Sequence, residues 1–317
     1  MDAHRRLLRI GMMAGLGSGF CWAVNNLLFS HGFTVMLGVS SALLLPLFCA
    51  AINDSCAAVS LLLVNGAKGL LGSFFRAIHS RSGRVICLAA LIGGPAGQLA
   101  YYYGIAYAGA TYALMITALY PVIGCVLAWF FLKQKITLRM WLGILLSGLG
   151  AVLLTYDGSM NAIQADFSLG IIAALLAACC WASEIVLAVY AMSDLSASMA
   201  ITIRECISGS TLLLLTVLFF PLAEFGSLLT DASMGLFSLA CAGVLAGLSY
   251  LLFYLANKTV GCARGTATNA TYLVWGLLLS MFLGTGTEVT LRVIIGCAGV
   301  LLGVLLVSIN TEEESDG

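Results

Sequence analysis

Two short stretches place polar chemistry inside apolar surroundings. "FCWAVNNL" fills residues 20–27 and "CCWASEIV" fills residues 179–186. Each sets a tryptophan three positions ahead of a polar group: Trp22 before Asn25, and Trp181 before Glu184. On a helix that spacing puts indole and polar group on one face, and Asn26, at i+4, joins Trp22 there. A carboxylate among indoles in a low-dielectric setting can hold an ammonium group, assisted by cation–π attraction. It can also carry a proton. The plainer alternatives are a structural hydrogen bond from Glu184 to a neighbouring helix, and tryptophans that belong to an interfacial aromatic belt. Both tryptophans stand about 12 residues into their apolar runs, deep for a belt.

Further polar groups interrupt apolar segments. Gln98 and Tyr102 share a face, as do Tyr250 and Tyr254. Thr117 and Tyr120 correspond in spacing to Asn269 and Tyr272, with Trp275 on the same face. Aromatic walls with a few amide or hydroxyl groups suit a mid-sized organic solute; helix packing through hydroxyls is the bland alternative. Asp54 and the Arg204-Glu205 pair are candidate coupling or gating groups together with Glu184. They lie about six residues inside their spans, so Arg204 can also snorkel to the surface.

These residues need helices in a bilayer to position them. The 317-residue chain is 61% hydrophobic and 9% charged, against about 25% charged residues in soluble domains. No charge occurs between Val85 and Phe131. Apolar runs near 11–31, 48–66, 84–106, 110–132, 138–156, 168–191, 199–220, 235–256, 264–284 and 290–309 predict an all-α integral membrane protein. The basic start before the first run is expected to lead into an uncleaved spanning helix. Arg5, Arg6 and Arg9, then Lys68, Arg76, Arg81 and Arg84, then Lys133, Lys135 and Arg139, then Lys258 and Arg264 fall in alternate connections. Ten spans put them all on the cytoplasmic side with both termini inside, and only Arg292 departs. An eleventh span would break that pattern, so the apolar segment 33–47 is expected to be a linker or re-entrant piece.

The chain also repeats. Cys-Trp-Ala recurs at 21–23 and 180–182; "INDSC" at 52–56 answers "IREC" at 203–206. "TALYP" at 117–121 answers "NATYL" at 269–273, and "ITLRMWLG" at 136–143 answers "VTLRVIIG" at 289–296. The matches are collinear, offset by about 150–160 positions, and agree after one insertion in the 33–47 region. Two five-span repeats, 1–160 and 161–310, are predicted, followed by an acidic tail, 311–317. Five is odd, so the repeats enter the membrane in opposite directions. Inverted repeats of this kind build many secondary transporters, with the substrate between them near mid-membrane.

The stretch "YYYGIAYAGATYALMITALYPVIGCVLAWFFLKQKITLRMWLGILLSGLGAVLL", 101–154, with the repeat around it, resembles the EamA-like branch of the drug/metabolite transporter superfamily. The resemblance covers nearly the whole chain. It implies ten helices, cytoplasmic termini, a plasma (inner) membrane location, export as the commoner direction, and a last helix in each half that packs at the periphery or in a homodimer. Gln134 stands where the family usually has an acid, and Asn53-Asp54 where many members have arginine.

Other classes are excluded or disfavoured. Net charge is zero, which gives nucleic acid no footprint. Eleven cysteines form no C-x-x-C pair, and three histidines form no cluster, so no metal or other cofactor is expected. No glycine fragment has phosphate-loop context. A membrane enzyme lacks a histidine at mid-span beside a serine. The expected function is secondary active transport of a small organic metabolite, such as an amino acid or amine, by alternating access. The alternative is a carrier or flippase for a lipid-linked or nucleotide-sugar-type substrate. Substrate and membrane lipid are the expected partners.

Overall fold

The computed structural model describes residues 2–39, 44–155, 167–220, 226–228, 230, 232–283 and 290–308. Among them the regular elements are all helices. α1 is Asp2–Leu37, α2 Leu45–Ala67 and α3 Leu71–His79. α4, Arg81–Leu91, continues through a π-helical turn, Ile92–Ala96, into α5, Gly97–Ala108. α6 is Ala110–Thr117, α7 Tyr120–Phe131 and α8 Leu138–Thr155. α9 is Phe167–Ala191, α10 Ala197–Phe219, α11 Ser233–Asn269, α12 Tyr272–Phe282 and α13 Leu291–Ser308.

Seven helical stretches are long and apolar enough to cross a bilayer. Leu138–Leu154 and Leu291–Val307 are shorter apolar helices. One of the seven, Ser233–Phe282, is 50 residues long and broken at Gly261, well beyond the roughly 20 residues a single span needs. The perimeter is apolar: Phe130, Leu138, Leu218 and Phe282 are largely exposed, as a lipid-facing surface requires.

The 33–47 expectation needs revision. Residues 33–37 simply continue α1, and α2 opens at Leu45 with proline in its first turn, where the missing N–H costs nothing. Residues 40–43 lie outside the described set, as does the tail 311–317. At about 1.5 Å per residue the 36-residue α1 outreaches a ~30 Å hydrocarbon core. Its length matches that of α11, against which it packs. Gly11, Gly15 and Gly19 let α1 lie against Val260, Thr268 and Asn269.

The described packing exchanges partners between the halves. α1 lies on α11 and α12, while α9 lies on α4 through α7; α2 pairs with α10, and α8 with α13. Two backbone breaks recur at matching positions. Gly109 has φ 88°, ψ 157° and Gly261 has φ 83°, ψ 164°, a left-handed region open to glycine and strained for other residues. Eleven residues after each glycine a helix restarts, at Tyr120 and at Tyr272. Gly143 and Gly150 of α8 meet Gly303, Gly296 and Gly299 of α13 backbone to backbone. These glycines serve a contact within the chain, the close approach small residues allow in lipid.

Candidate functional site

Four charged side chains are buried together. Arg204 is 3% exposed, Glu205 0%, Asp54 1% and Glu184 8%. They come from three helices: α2 supplies Asp54, α9 Glu184, and α10 Arg204 and Glu205. Arg204 donates from Nε to Glu184 Oε1 at 2.6 Å and from Nη2 to Oε2 at 3.3 Å. Its Nη1 donates to Glu205 Oε1 at 2.7 Å and to Asp54 Oδ2 at 3.5 Å. The forked contact with Glu184 uses the planar geometry that distinguishes arginine from lysine. Arg204 therefore does not snorkel; its guanidinium points inward and is held there.

Aromatic rings complete the enclosure. The guanidinium carbon lies 5.0 Å from the centroid of the Tyr250 ring, within cation–π range. Tyr250 in turn packs on Trp22, centroids 5.0 Å apart. Tyr254 donates its hydroxyl to Glu184 Oε1 at 3.4 Å. Tyr250 and Tyr254 share a face of α11 because they are four residues apart, and Gly243 and Gly247 seat the same helix against Asn53, Cys56 and Ser60 of α2.

A buried polar chain continues from Asp54. Ser208 donates to Asp54 Oδ2 at 2.7 Å and Asn53 Nδ2 to Oδ1 at 3.2 Å. Asn25 Nδ2 donates to Asn53 Oδ1 at 2.9 Å and to the Ala242 carbonyl at 2.8 Å. Three carboxyl groups thus face one guanidinium. Glu205 Oε2 is buried and has no hydrogen-bond partner among the described residues, a costly condition for an acceptor in low dielectric.

The π-helical turn Ile92–Ala96 closes over this cluster. Pro95 lies inside it; π-turns are rare and favour functional places. A Cβ on Gly93 would overlap the Glu184 carboxyl, and one on Gly94 the Ser208 hydroxyl. The Gly93 carbonyl accepts the indole N–H of Trp181 at 3.0 Å. Trp181 then meets Tyr101, centroids 5.5 Å apart, and Tyr120 at 6.5 Å. Tyr120 reaches Asn269 Oδ1 at 3.5 Å, and Asn269 Nδ2 donates to Ser18 at 2.8 Å.

The candidate residues from the sequence fall into distinct places. Asp54, Glu184, Glu205 and Tyr250 surround the Arg204 guanidinium, with Tyr254 on Glu184, Trp22 on Tyr250 and Asn25 linked through Asn53. Trp181, Tyr120 and Asn269 form a second group joined to the first at Gly93, and Tyr272 opens α12 beside Gly19. Others stand apart. Asn26 is exposed, although its neighbour Asn25 is buried: adjacent helical positions are about 100° apart, and Asn25 takes the inner one. Tyr102 donates to Gln98 at 3.1 Å and packs on the Leu47, Ala50 and Leu212 cluster. Thr117 donates to the carbonyls of Ala113 and Leu114 in its own helix, the back-bonding common for buried threonine. Trp275 sits edge-on to Phe20 at 5.5 Å. Tyr101, Ser208, Gly93 and Gly94 were not among the candidates; "IGGPAG" at 92–97, a proline and three glycines inside an apolar run, was the signal available.

The sequence pattern that defines the EamA-like transporter family matches twice, at residues 9–156 and 168–309. Among curated proteins, Protein LicB of Haemophilus influenzae is 28% identical over 309 residues, covering 89% of this chain and 97% of that protein. A WAT1-related protein of Arabidopsis thaliana is 25% identical over 252 residues, covering 73% of this chain and 64% of its own length. A crystal structure of a protein at 15% identity shares the fold, with a TM-score of 0.73 over 93% of this chain and 95% of the other.

Proposed function

The chain belongs to the EamA-like transporter family of the drug/metabolite transporter superfamily, a multi-pass membrane transporter and not an enzyme, and from that premise we propose that it carries small organic amines by alternating access. Amino acids and related ammonium-bearing metabolites are the substrate class. The observation that carries this reading is the seat of Arg204. A cation already rests between the Tyr250 ring and the carboxylates of Glu184, Glu205 and Asp54. The same recess suits a substrate ammonium group, with Trp22 and Tyr250 as the aromatic wall.

The charge arithmetic supports the same substrate class. Three carboxyl groups to one guanidinium leave an excess of acid that a substrate ammonium group, or a proton, can balance. Arg204 is then an internal stand-in for the substrate. It releases Glu184 when an ammonium group arrives and returns when the group leaves. A substrate acts on such an equilibrium only through different contacts in the two states, and the carboxylates supply them.

The architecture proposed is ten spans in two inverted five-helix halves. The break at Gly261 divides the 50-residue stretch in two, and the two shorter apolar helices complete the count. The matched angles at Gly109 and Gly261, the exchanged packing and the double family match support it. The orientation proposed puts both termini in the cytoplasm. In its support, alternate connections converge on one end of the bundle. Ser82 donates to Asp194 at 2.7 Å, Lys258 to the Leu195 carbonyl at 2.6 Å, and the Cys262 N–H to Gln134 Oε1 at 3.1 Å. Arg81, Lys133 and Lys258 lie at or beside these links, as the positive-inside rule requires of a cytoplasmic face.

A thermal-shift screen of purified protein against amines, amino acids, sugars and nucleosides tests the substrate class. Amines are expected to raise the melting temperature; stabilisation by nucleosides or sugars alone would favour the nucleotide-sugar-type alternative.

A further inference from the structure

Transport through the centre leaves one feature unused. α3 is nine residues long, about 13 Å by helical rise and too short to cross a bilayer. It is two-sided. Phe74, Ala77 and Ile78 pack on the core cluster that includes Ile86 and Met199. Leu71 and Phe75 are exposed, Phe75 by 67%. Arg76 is exposed beside them, and Lys68, Arg81 and Arg84 are exposed on the flanking segments. An apolar edge ringed by cations is the pattern of a helix lying in the headgroup layer.

Next to that helix is a cleft of about 360 Å³, lined by Ser73, Arg76, Ser80, Arg81, Ser82 and Asp194. Among the described residues neither guanidinium makes an ion pair. Asp194 is engaged by the Ser82 hydroxyl at 2.7 Å, and the Ser80 hydroxyl donates to the Ala77 carbonyl at 2.6 Å. The cleft therefore offers two unpaired cations, hydroxyl groups, one carboxylate able to accept from a second hydroxyl, and an apolar border.

We propose that this cleft binds an anionic glycerophospholipid. The phosphate lies between Arg76 and Arg81, a hydroxylated headgroup reaches Asp194, and an acyl chain runs along Phe75 and Leu71. Guanidinium forks suit phosphate oxygens, and anionic leaflets attract such basic segments. The site joins α3 and α4 of one half to the α9–α10 turn of the other. The Ser82–Asp194 contact forms its floor, so a bound lipid braces that junction. The proposal is independent of the substrate at the bundle centre.

Thermal unfolding in neutral detergent tests it, with phosphatidylglycerol, phosphatidylcholine and inorganic phosphate added in parallel. Phosphatidylglycerol at saturation is expected to raise the melting temperature by about 4 °C or more, with little change from the other two. Arg76→Gln with Arg81→Gln removes at least half of that rise and leaves the lipid-free melting temperature in place, since both side chains are exposed. Native mass spectrometry of the same pair shows fewer retained phosphatidylglycerol molecules. An equal rise with phosphatidylcholine, a rise with phosphate as large as with the lipid, or a full rise in the double variant would each overturn the proposal.

Discussion

Trp181 donates its indole N–H to the Gly93 carbonyl across 3.0 Å, and the same glycine backs onto the Glu184 carboxyl. One π-helical turn thus holds both the indole and the acid of the second "CWA" motif. The proposed substrate seat depends on that turn staying free of side chains.

Gly93→Ala is expected to force the Glu184 carboxyl aside. Overpacking a filled interior costs about 1–3 kcal/mol, and here it also loosens the Arg204 fork. The variant should melt lower and lose amine response, as read by thermal unfolding with and without ligand. Gly276→Ala, where an added Cβ meets open space, should leave both readings unchanged.

Arg204→Gln removes the cation and leaves three buried carboxyl groups facing one another. Breaking a buried charge pair from one side costs about 3–5 kcal/mol, so the variant should fold poorly in fluorescence-detected size exclusion. Removing an acid at the same time should restore folding. Arg204→Gln with Glu205→Gln is expected to recover most of the monodisperse peak. No recovery would mean that the arginine's worth is packing and not charge.

Trp22→Ala should weaken amine binding by about tenfold, the equivalent of 1.4 kcal/mol and within the range for a desolvated cation–π wall. Trp22→Phe keeps a ring and should keep part of the affinity. Equilibrium binding of a labelled amine separates the two. Asn26→Ala, on the exposed side of the same helix, should bind as the parent does.

Tyr120→Phe tests the second group. Its hydroxyl meets Asn269 only at 3.5 Å, the edge of a hydrogen bond, while the ring packs on Trp181. Little change in stability is expected from Phe, and a clear loss from Ala. A large loss of melting temperature from Phe would mean that the hydroxyl's bond to Asn269 carries weight despite its length.

The helical class and the repeat were legible because they rest on period and composition, which a sequence displays directly. The pairing of Arg204 with Glu184 was not. The residues are 20 positions apart on different helices, and an arginine near a span end reads equally well as snorkelling. Asn26 was misplaced because i+3 and i+4 both count as one face until packing decides which is inner. The proline and glycines at 92–97 marked a helix irregularity, but no local rule says that its carbonyl would meet an indole from the other half. The 33–47 segment read as a linker or re-entrant insertion because the repeat offsets and the alternation of basic connections left no room for another span; neither signal says that residues 33–37 would continue α1 and that α2 would open at Leu45.

The most direct test of the amine seat is uptake into proteoliposomes of a radiolabelled amine, parent against Glu184→Gln, with the uncharged isostere of the same amine as a second solute. Saturable uptake of the amine by the parent, none of the isostere, and loss of amine uptake in Glu184→Gln are expected. Equal uptake of amine and isostere, or a Glu184→Gln variant that transports as the parent does, would contradict it.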